Sequence, residues 1–372
     1  MSVTIKHLND DSSFLLTFTP PIALGASDDI YRFPGSFTIL IDPWIRGSSK
    51  ILSPKFNHSF HTVPPCITSL AQIPTPDLVL ISQDKPDHCH EETLRTLSPQ
   101  SDSIILGPPA AAKKIRSWNH FDSELIDALR PYKDKDSSTV YRISIPPISA
   151  SGSPGVVTIA FMPARKDITG LHNAVGITYR APCSVLSAKT GSYVNLPPTP
   201  PESPPLPRSA QSARPASHTR FVSASPRTIY PSPYNNREKT ISVLYSPHGV
   251  SYNIIRPYVC GHLLEEAALP LTCLLHSFDR VDNPWYLGGL VANGAPGGAE
   301  IARNLFAKTW ISAHDEDKEN RGLATKKTKV STFTDEEIGM MLHNDVVPQV
   351  GRRSTCTTSV VRLDAGEEIK IE

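Results

Sequence analysis

Three side chains able to bind a metal fall within four positions, Asp87, His88 and His90. A carboxylate and neutral imidazoles are ordinary donors for zinc, and an ion held by them can acidify water for attack on a carbonyl or phosphoryl centre. The flanking pattern would position them for that work. Residues 78–81 (Leu-Val-Leu-Ile) read as a buried strand, residues 83–90 as a polar loop, and Leu94 and Leu97 begin a helical spacing. In α/β proteins, reactive groups gather where a strand gives way to a loop and then a helix. A plainer reading of the same residues is open, in which Asp87 and His88 only cap the following helix. Cys89, inside the loop, could also act as a nucleophile.

Other apolar runs end in polar residues of the same kind. Residues 14–18 read as a first strand, and residues 36–41 as a second that ends in Asp42-Pro43-Trp44 and Gly47. Residues 103–106 read as a strand and 110–118 as a helix. Residues 156–161 form a strand leading to Arg165 and Lys166, with His172 and Asn173 before a strand over 174–179. Residues 241–245 lead to His248, residues 271–275 to His276 and Asp279, and Trp310 to Ser312 lead to His314. A helix over 334–342 follows, then a closing hairpin of 359–363 and 368–371 about Ala365-Gly366. Strand and helix alternate, which favours an α/β sandwich over an all-β protein.

This order of strand ends resembles the metallo-β-lactamase superfamily, whose loop reads His-x-His-x-Asp-His after a hydrophobic strand. The Ile-Asp-Pro-Trp segment ending at Trp44 resembles that family too, where the Asp supports the site; a simple turn role for Asp42 is the other reading. The resemblance covers roughly residues 10–185 and 240–345 and is closest to the branch of lactonases and N-acylphosphatidylethanolamine phospholipase-D-like hydrolases. It implies an α/β fold of four layers, an αββα sandwich, as one domain over residues 1–372.

The motif is degenerate. Aligned on Asp87 and His88, the chain has Gln83 and Lys85 in place of the first two histidines, and Lys166 in place of a third. His248 stands where the family has an Asp that bridges two metals. The resemblance therefore implies a single metal held by Asp87, His88, His248 and His314: one Zn ion, with Fe or Mn also suited to the ligand types. The implied reaction is hydrolysis of an ester, lactone, amide or phosphoester through metal-bound hydroxide. Asp87, Lys85 and Lys166 are the candidate catalytic residues. The ammonium groups of Lys85 and Lys166, with Arg165 adjacent, would occupy the place of the missing cation and hold an anionic small-molecule substrate. The alternative is a non-catalytic member acting as a binding or regulatory module.

Composition narrows the partners. The 372 residues carry 37 Lys plus Arg against 36 Asp plus Glu, a net charge of +1, which does not give the basic footprint of a nucleic-acid binder. No run of about 18 apolar residues predicts a membrane span. The first 13 residues are too polar for a signal peptide, and six dispersed cysteines without a CxxC read as reduced thiols. A cytoplasmic location is expected, with a nuclear one also compatible.

Residues 190–238 read as a disordered Pro/Ser-rich insertion, with eleven prolines between positions 197 and 233. Its Ser-Pro and Thr-Pro steps could meet a proline-directed kinase, and Pro-x-x-Pro at 201–204 and 204–207 an SH3-type groove. Gly288, Gly289, Gly294, Gly297 and Gly298 could turn backbone N–H groups toward an anion, although their spacing is neither a Walker nor a Rossmann pattern.

Overall fold

The computed structural model describes residues 1–21, 34–148, 152–165, 167, 169–182, 240–343 and 358–372, with the backbone of 184–186 and 193–195. Two seven-stranded sheets account for most of it. The first runs Glu368–Ile371, Ser2–His7, Phe14–Thr19, Phe37–Ile41, Leu78–Leu80, Ile104–Gly107 and Ile126–Ala128 from edge to edge. The second runs Ser359–Val361, Thr309–Ser312, Cys273–His276, Ile241–Ser246, Asn173–Arg180, Gly155–Pro163 and Val140–Ile145.

The period of two along each strand sorts side chains into layers. Phe14, Leu16, Phe18, Ile39 and Ile41 meet Val175, Ile177, Tyr179, Val243 and Tyr245 in a core between the sheets. Their neighbours Leu15, Leu40, Val79 and Ile81 point outward, under Leu94 and the helix Pro109–Ser117. Ala160, Met162, Leu244, Leu274 and Trp310 point out of the other sheet, under the helices Tyr252–Tyr258, Gly294–Leu305 and Asp335–His343. Helices thus cover both outer faces, the expected αββα order. Strands buried on both faces carry unbroken apolar runs, which is why the sequence shows so little alternation.

Each sheet is antiparallel in one half and parallel in the other. Phe37–Ile41, Leu78–Leu80 and Ile104–Gly107 run parallel in the first, and Ile241–Ser246, Cys273–His276 and Thr309–Ser312 in the second. Parallel strands end together. In the second sheet Ser246, His276 and Ser312 share one register row. The residues just past these ends form the rim that carries the site.

Two sequence expectations are corrected. The closing segments are no hairpin: Ser359–Val361 lies parallel to Thr309–Ser312 in the second sheet, while Glu368–Ile371 lies antiparallel to Ser2–His7 in the first. The turn at Ala365-Gly366 therefore crosses between sheets. Its partner Ser2–His7 went unread because that strand mixes Ser, Thr and Lys with its apolar residues, and Lys6 sits opposite Glu368. The glycine-rich segment is not one turn either. The helix begins at Gly294, so Gly294, Gly297 and Gly298 are helical, and a Cβ at Gly298 would run into the buried Trp310 ring.

The insertion at 190–238, with its kinase and SH3-type sites, lies outside the described residues, apart from Tyr193–Asn195, which pairs with Ser184–Leu186. Among the described residues, no helix is long and apolar enough to cross a membrane.

Candidate metal centre

The rim brings together side chains far apart in sequence. His88, His248 and His314 each offer one ligand atom, and these atoms lie within 4.8 Å of one another. Each imidazole is fixed from behind. His88 Nδ1 lies 2.7 Å from Asp42 Oδ2, His314 Nδ1 3.0 Å from Asp11 Oδ1, and His248 Nδ1 3.0 Å from the Val291 carbonyl oxygen. An oxygen that can only accept therefore faces every Nδ1. The proton sits on Nδ1, and Nε2 keeps its lone pair for the interior of the cluster. His88 Nε2 and His248 Nε2 are 3.1 Å apart.

Local sequence explains this placement. Asp42, fully buried and at φ 41°, terminates the strand Phe37–Ile41 and accepts from Ser82 N at 2.7 Å and Tyr245 Oη at 2.7 Å. It is thus a supporting residue as well as a turn residue. The loop after Leu80 is pinned by Lys114, whose ammonium donates to the carbonyls of Asp84 at 2.8 Å and Cys89 at 3.2 Å. His314, at φ 71°, is fixed by its N–H to the Asp11 carbonyl at 2.8 Å. Asp315 beside it accepts from Phe278 N at 2.7 Å and Asp279 N at 3.0 Å.

The electrostatics are sharply divided. Burial opposes charge on His88, yet the carboxylates of Asp42 and Asp87 outweigh it and raise its pKa. Burial, with the imidazoles of His314 and His88, pushes His248 well below the usual histidine range. Burial also lowers His314 despite the carboxylate of Asp11. A proton on His88 Nε2 facing a neutral His248 Nε2 would fill the gap, as would a cation held by both.

The residues singled out from sequence divide as follows. His88, His248 and His314 form the cluster. Asp87 stands beside it, with Oδ2 4.0 Å from His88 Nε2 and with Oδ1 buried and without a hydrogen-bond partner. Lys85 pairs with Asp84 at 3.3 Å, and Lys166 lies outside the described residues. Helix capping falls to His90, which accepts from Thr93 N, rather than to Asp87 or His88. His172 spans two loops, 3.0 Å from the carbonyl oxygens of Gly249 and of Leu290. Cys89 is buried in the outer core and its thiol is pushed up to about 12, which removes the nucleophile reading. Among the described residues Cys66, Cys89, Cys260 and Cys273 are free thiols.

Two residues of the centre escaped sequence reading. Asp11 is fully buried, and Lys318 places its ammonium 2.8 Å and 2.9 Å from the two Asp11 carboxylate oxygens. Burial works against both charges. The His314 and Lys318 side chains nevertheless hold Asp11 well below the usual carboxylate range, and Asp11 and Asp87 raise Lys318. Lys318 lies in the charged run 315–319, which has no apolar period and reads as a solvated face. Glu316 turns that run inward by accepting from His61 Nδ1 at 2.6 Å and Thr62 N at 2.7 Å. An ammonium thus stands beside the cluster on Lys318, 3.4 Å from His314 Nδ1.

The donor set fits a metal. Three imidazole nitrogens face one another with their tautomers fixed by acceptors, and a buried carboxylate oxygen beside them lacks any partner.

Residues 38–174 match the family described as Beta-lactamase superfamily domain. No curated protein matches the chain. Among solved structures, it resembles Igni18, a metallo hydrolase from the archaeon Ignicoccus hospitalis, at 11% identity and a TM-score of 0.44, covering 100% of this chain and 99% of that one. It also resembles the metallo-beta-lactamase fold protein YhfI from Bacillus subtilis, at 10% identity and a TM-score of 0.42, covering 99% of each chain. A third likeness is to a long form RNase Z from yeast, at 11% identity and a TM-score of 0.40, covering 99% of this chain and 42% of that one. The matched domain spans the strand that ends in Asp42 and the loop that carries His88, so residues 38–174 carry a domain of the beta-lactamase superfamily.

Proposed function

We propose that the protein is a hydrolase that holds one metal ion on His88, His248 and His314, with Asp87 as a fourth donor or as a base at its edge. The observation that carries this reading is the convergence of three imidazole ligand atoms within 4.8 Å. Imidazole donors with one carboxylate favour zinc, and Fe or Mn suits the same set. Such an ion supplies Lewis acidity and brings the pKa of a bound water toward 7.

The chain's own residues would do the rest. Asp42, Asp11 and the Val291 carbonyl keep the three imidazoles in the tautomer that presents Nε2. Asp87, whose Oδ1 has no partner, is free to accept a proton from an attacking water. Burial alone would raise its pKa, but the nearby His88, His314 and Lys318 lower it, so it is ionised at neutral pH. The substrate class is a small molecule with an ester, lactone, amide or phosphoester bond.

Metal analysis of the purified protein tests this proposal. About one equivalent is expected, lost in His88→Ala and His314→Ala while both variants keep the wild-type circular dichroism. A protein purified and reconstituted with zinc, iron or manganese that still binds none would refute it.

A further inference from the structure

Three loops beside the metal centre present large apolar side chains to solvent. Such residues standing singly are ordinary, but a connected set marks a binding face. Leu52 is 87% exposed at the tip between the strands Ser49–Ile51 and Asn57–Phe60. Trp285 is 88% exposed and Tyr286 54% in the loop between Arg280–Asp282 and Leu290–Asn293. Leu323, between Glu319–Arg321 and Lys329–Ser331, is 65% exposed.

The loops are tied to one another. Leu323 N donates to the Lys55 carbonyl at 3.0 Å, which joins the third loop to the first. Lys327 Nζ donates to Tyr286 Oη at 3.0 Å and lies 5.7 Å from the centre of that ring, and Thr328 Oγ1 donates to Asn283 Oδ1 at 2.6 Å. These contacts join the third loop to the second, where the Trp285 and Tyr286 rings meet edge to face at 5.9 Å. The set borders the rim, because Val291, which holds His248, follows the second loop and Lys318 stands just before Glu319.

Their charge is one-sided. Residues 50–56, 280–290 and 319–331 carry seven Lys and Arg against two Asp and Glu, in a chain whose net charge is only +1. Both acids are already answered locally, Asp282 by Arg280 at 2.7 Å and Glu319 by Arg321 at 2.6 Å. Aliphatic tips with Trp and Tyr among lysines match an anionic bilayer. Indole and phenol settle at headgroup level, aliphatic side chains pass below it, and ammonium groups meet the lipid anions. A nucleic acid would stack on the rings and leave Leu52 and Leu323 in water. A symmetric pairing with a second copy would set lysines against lysines.

We propose that these three loops dock the protein on the surface of a membrane rich in anionic lipid, with Trp285 and Leu323 entering it. The docking goes beyond the hydrolase reading and needs no metal.

The test is flotation of the full chain with phosphatidylcholine vesicles that contain about one-third phosphatidylserine. Binding is expected, at least tenfold weaker to phosphatidylcholine alone and weaker again at high salt. Trp285→Ser combined with Leu323→Ser should lose about tenfold or more in affinity while keeping the wild-type circular dichroism. Lys326→Gln combined with Lys327→Gln should weaken binding by a similar factor. Vesicles with brominated acyl chains should quench tryptophan emission in the wild type and not in Trp285→Phe, a readout of insertion that a folding defect does not imitate. No binding to the anionic vesicles, equal binding by the Trp285 and Leu323 double variant, or quenching that survives in Trp285→Phe would each overturn the proposal. So would a Trp285 emission already shielded from iodide without vesicles, since another part of the chain or a second copy would then cover the tip. Binding to single-stranded RNA in preference to the vesicles would overturn it too, and would assign the face to nucleic acid.

Discussion

His88 Nε2 and His248 Nε2 face each other at 3.1 Å although 160 residues separate them. With both Nδ1 atoms committed to acceptors, that approach brings lone pair against lone pair unless a proton or a cation lies between. A metal that enters must displace the proton favoured by the raised pKa of His88. Metal affinity is therefore expected to fall as the pH drops into the range where His88 protonates. Binding to the folded state alone should also stabilise it, by about 2.7 kcal/mol at a zinc concentration a hundredfold above Kd. Thermal melts with zinc and with chelator check this. His248→Leu should melt at the same temperature in both.

Asp42 is the busiest acceptor of the centre, serving Ser82, His88 and Tyr245 together. Replacing it with Asn keeps the shape but removes the charge and turns two acceptor oxygens into one. Metal affinity in Asp42→Asn is expected to drop 10–100-fold, the usual effect of losing the partner behind a ligating histidine. A chelator competition titration measures it. An unchanged affinity would mean that the packing around His88, rather than this carboxylate, orients the ring.

Lys318 acts in two directions. Its ammonium neutralises the buried Asp11 carboxylate, yet it also lies 3.4 Å from His314 Nδ1, where it repels a metal bound to that ring. Lys318→Met should therefore destabilise the metal-free protein, by about 3–5 kcal/mol if Asp11 stays ionised and unpaired. The same variant should gain more stability from added zinc than the wild type does. Urea melts with chelator and with zinc separate the two effects, and Lys318→Arg should restore the metal-free midpoint.

Legibility in the sequence followed the range of the interactions. The strands that end in Asp42, Ser82, His248 and His314 could be read because burial on both faces gives unbroken apolar runs and polar residues close them. His88, His248 and His314 could be read because imidazoles at strand ends are rare and chemically loud. Asp11 and Lys318 could not, since each looks like a surface charge until the 316–318 turn folds inward on Glu316. Gln83 was legible only as a missing histidine. Its amide is buried without a hydrogen-bond partner, a property of the walls around it that no local pattern encodes.

Cys89 sits in the key loop but behaves as core. Burial pushes its thiol up to about 12, with Lys114 opposing. At pH 8 only roughly one molecule in ten thousand would then carry the thiolate that reacts. Native protein is expected to resist iodoacetamide at Cys89 while exposed Cys66 is modified, as read by peptide mass mapping. Cys89→Ala should cost stability through a lost packing contact without altering metal content.

His276 supplies the pH dependence of stability most cleanly separated from the three imidazoles. It is fully buried, its Nδ1–H donates to the Ser277 carbonyl at 2.8 Å, and its Nε2 has no partner. Burial lowers its pKa from 6.5 to about 4. In the unfolded chain the ring takes up a proton as the pH falls through 6.5, while in the folded protein it stays neutral until about 4. Stability from this group is therefore complete above pH 6.5 and is lost progressively between 6.5 and 4, by on the order of 3 kcal/mol. His276→Asn removes that titration, so its stability should fall less steeply with acid than that of the wild type. Urea midpoints at pH 7, 5.5 and 4.5 in the presence of chelator give both slopes, and identical slopes would show that the ring titrates normally in the folded protein.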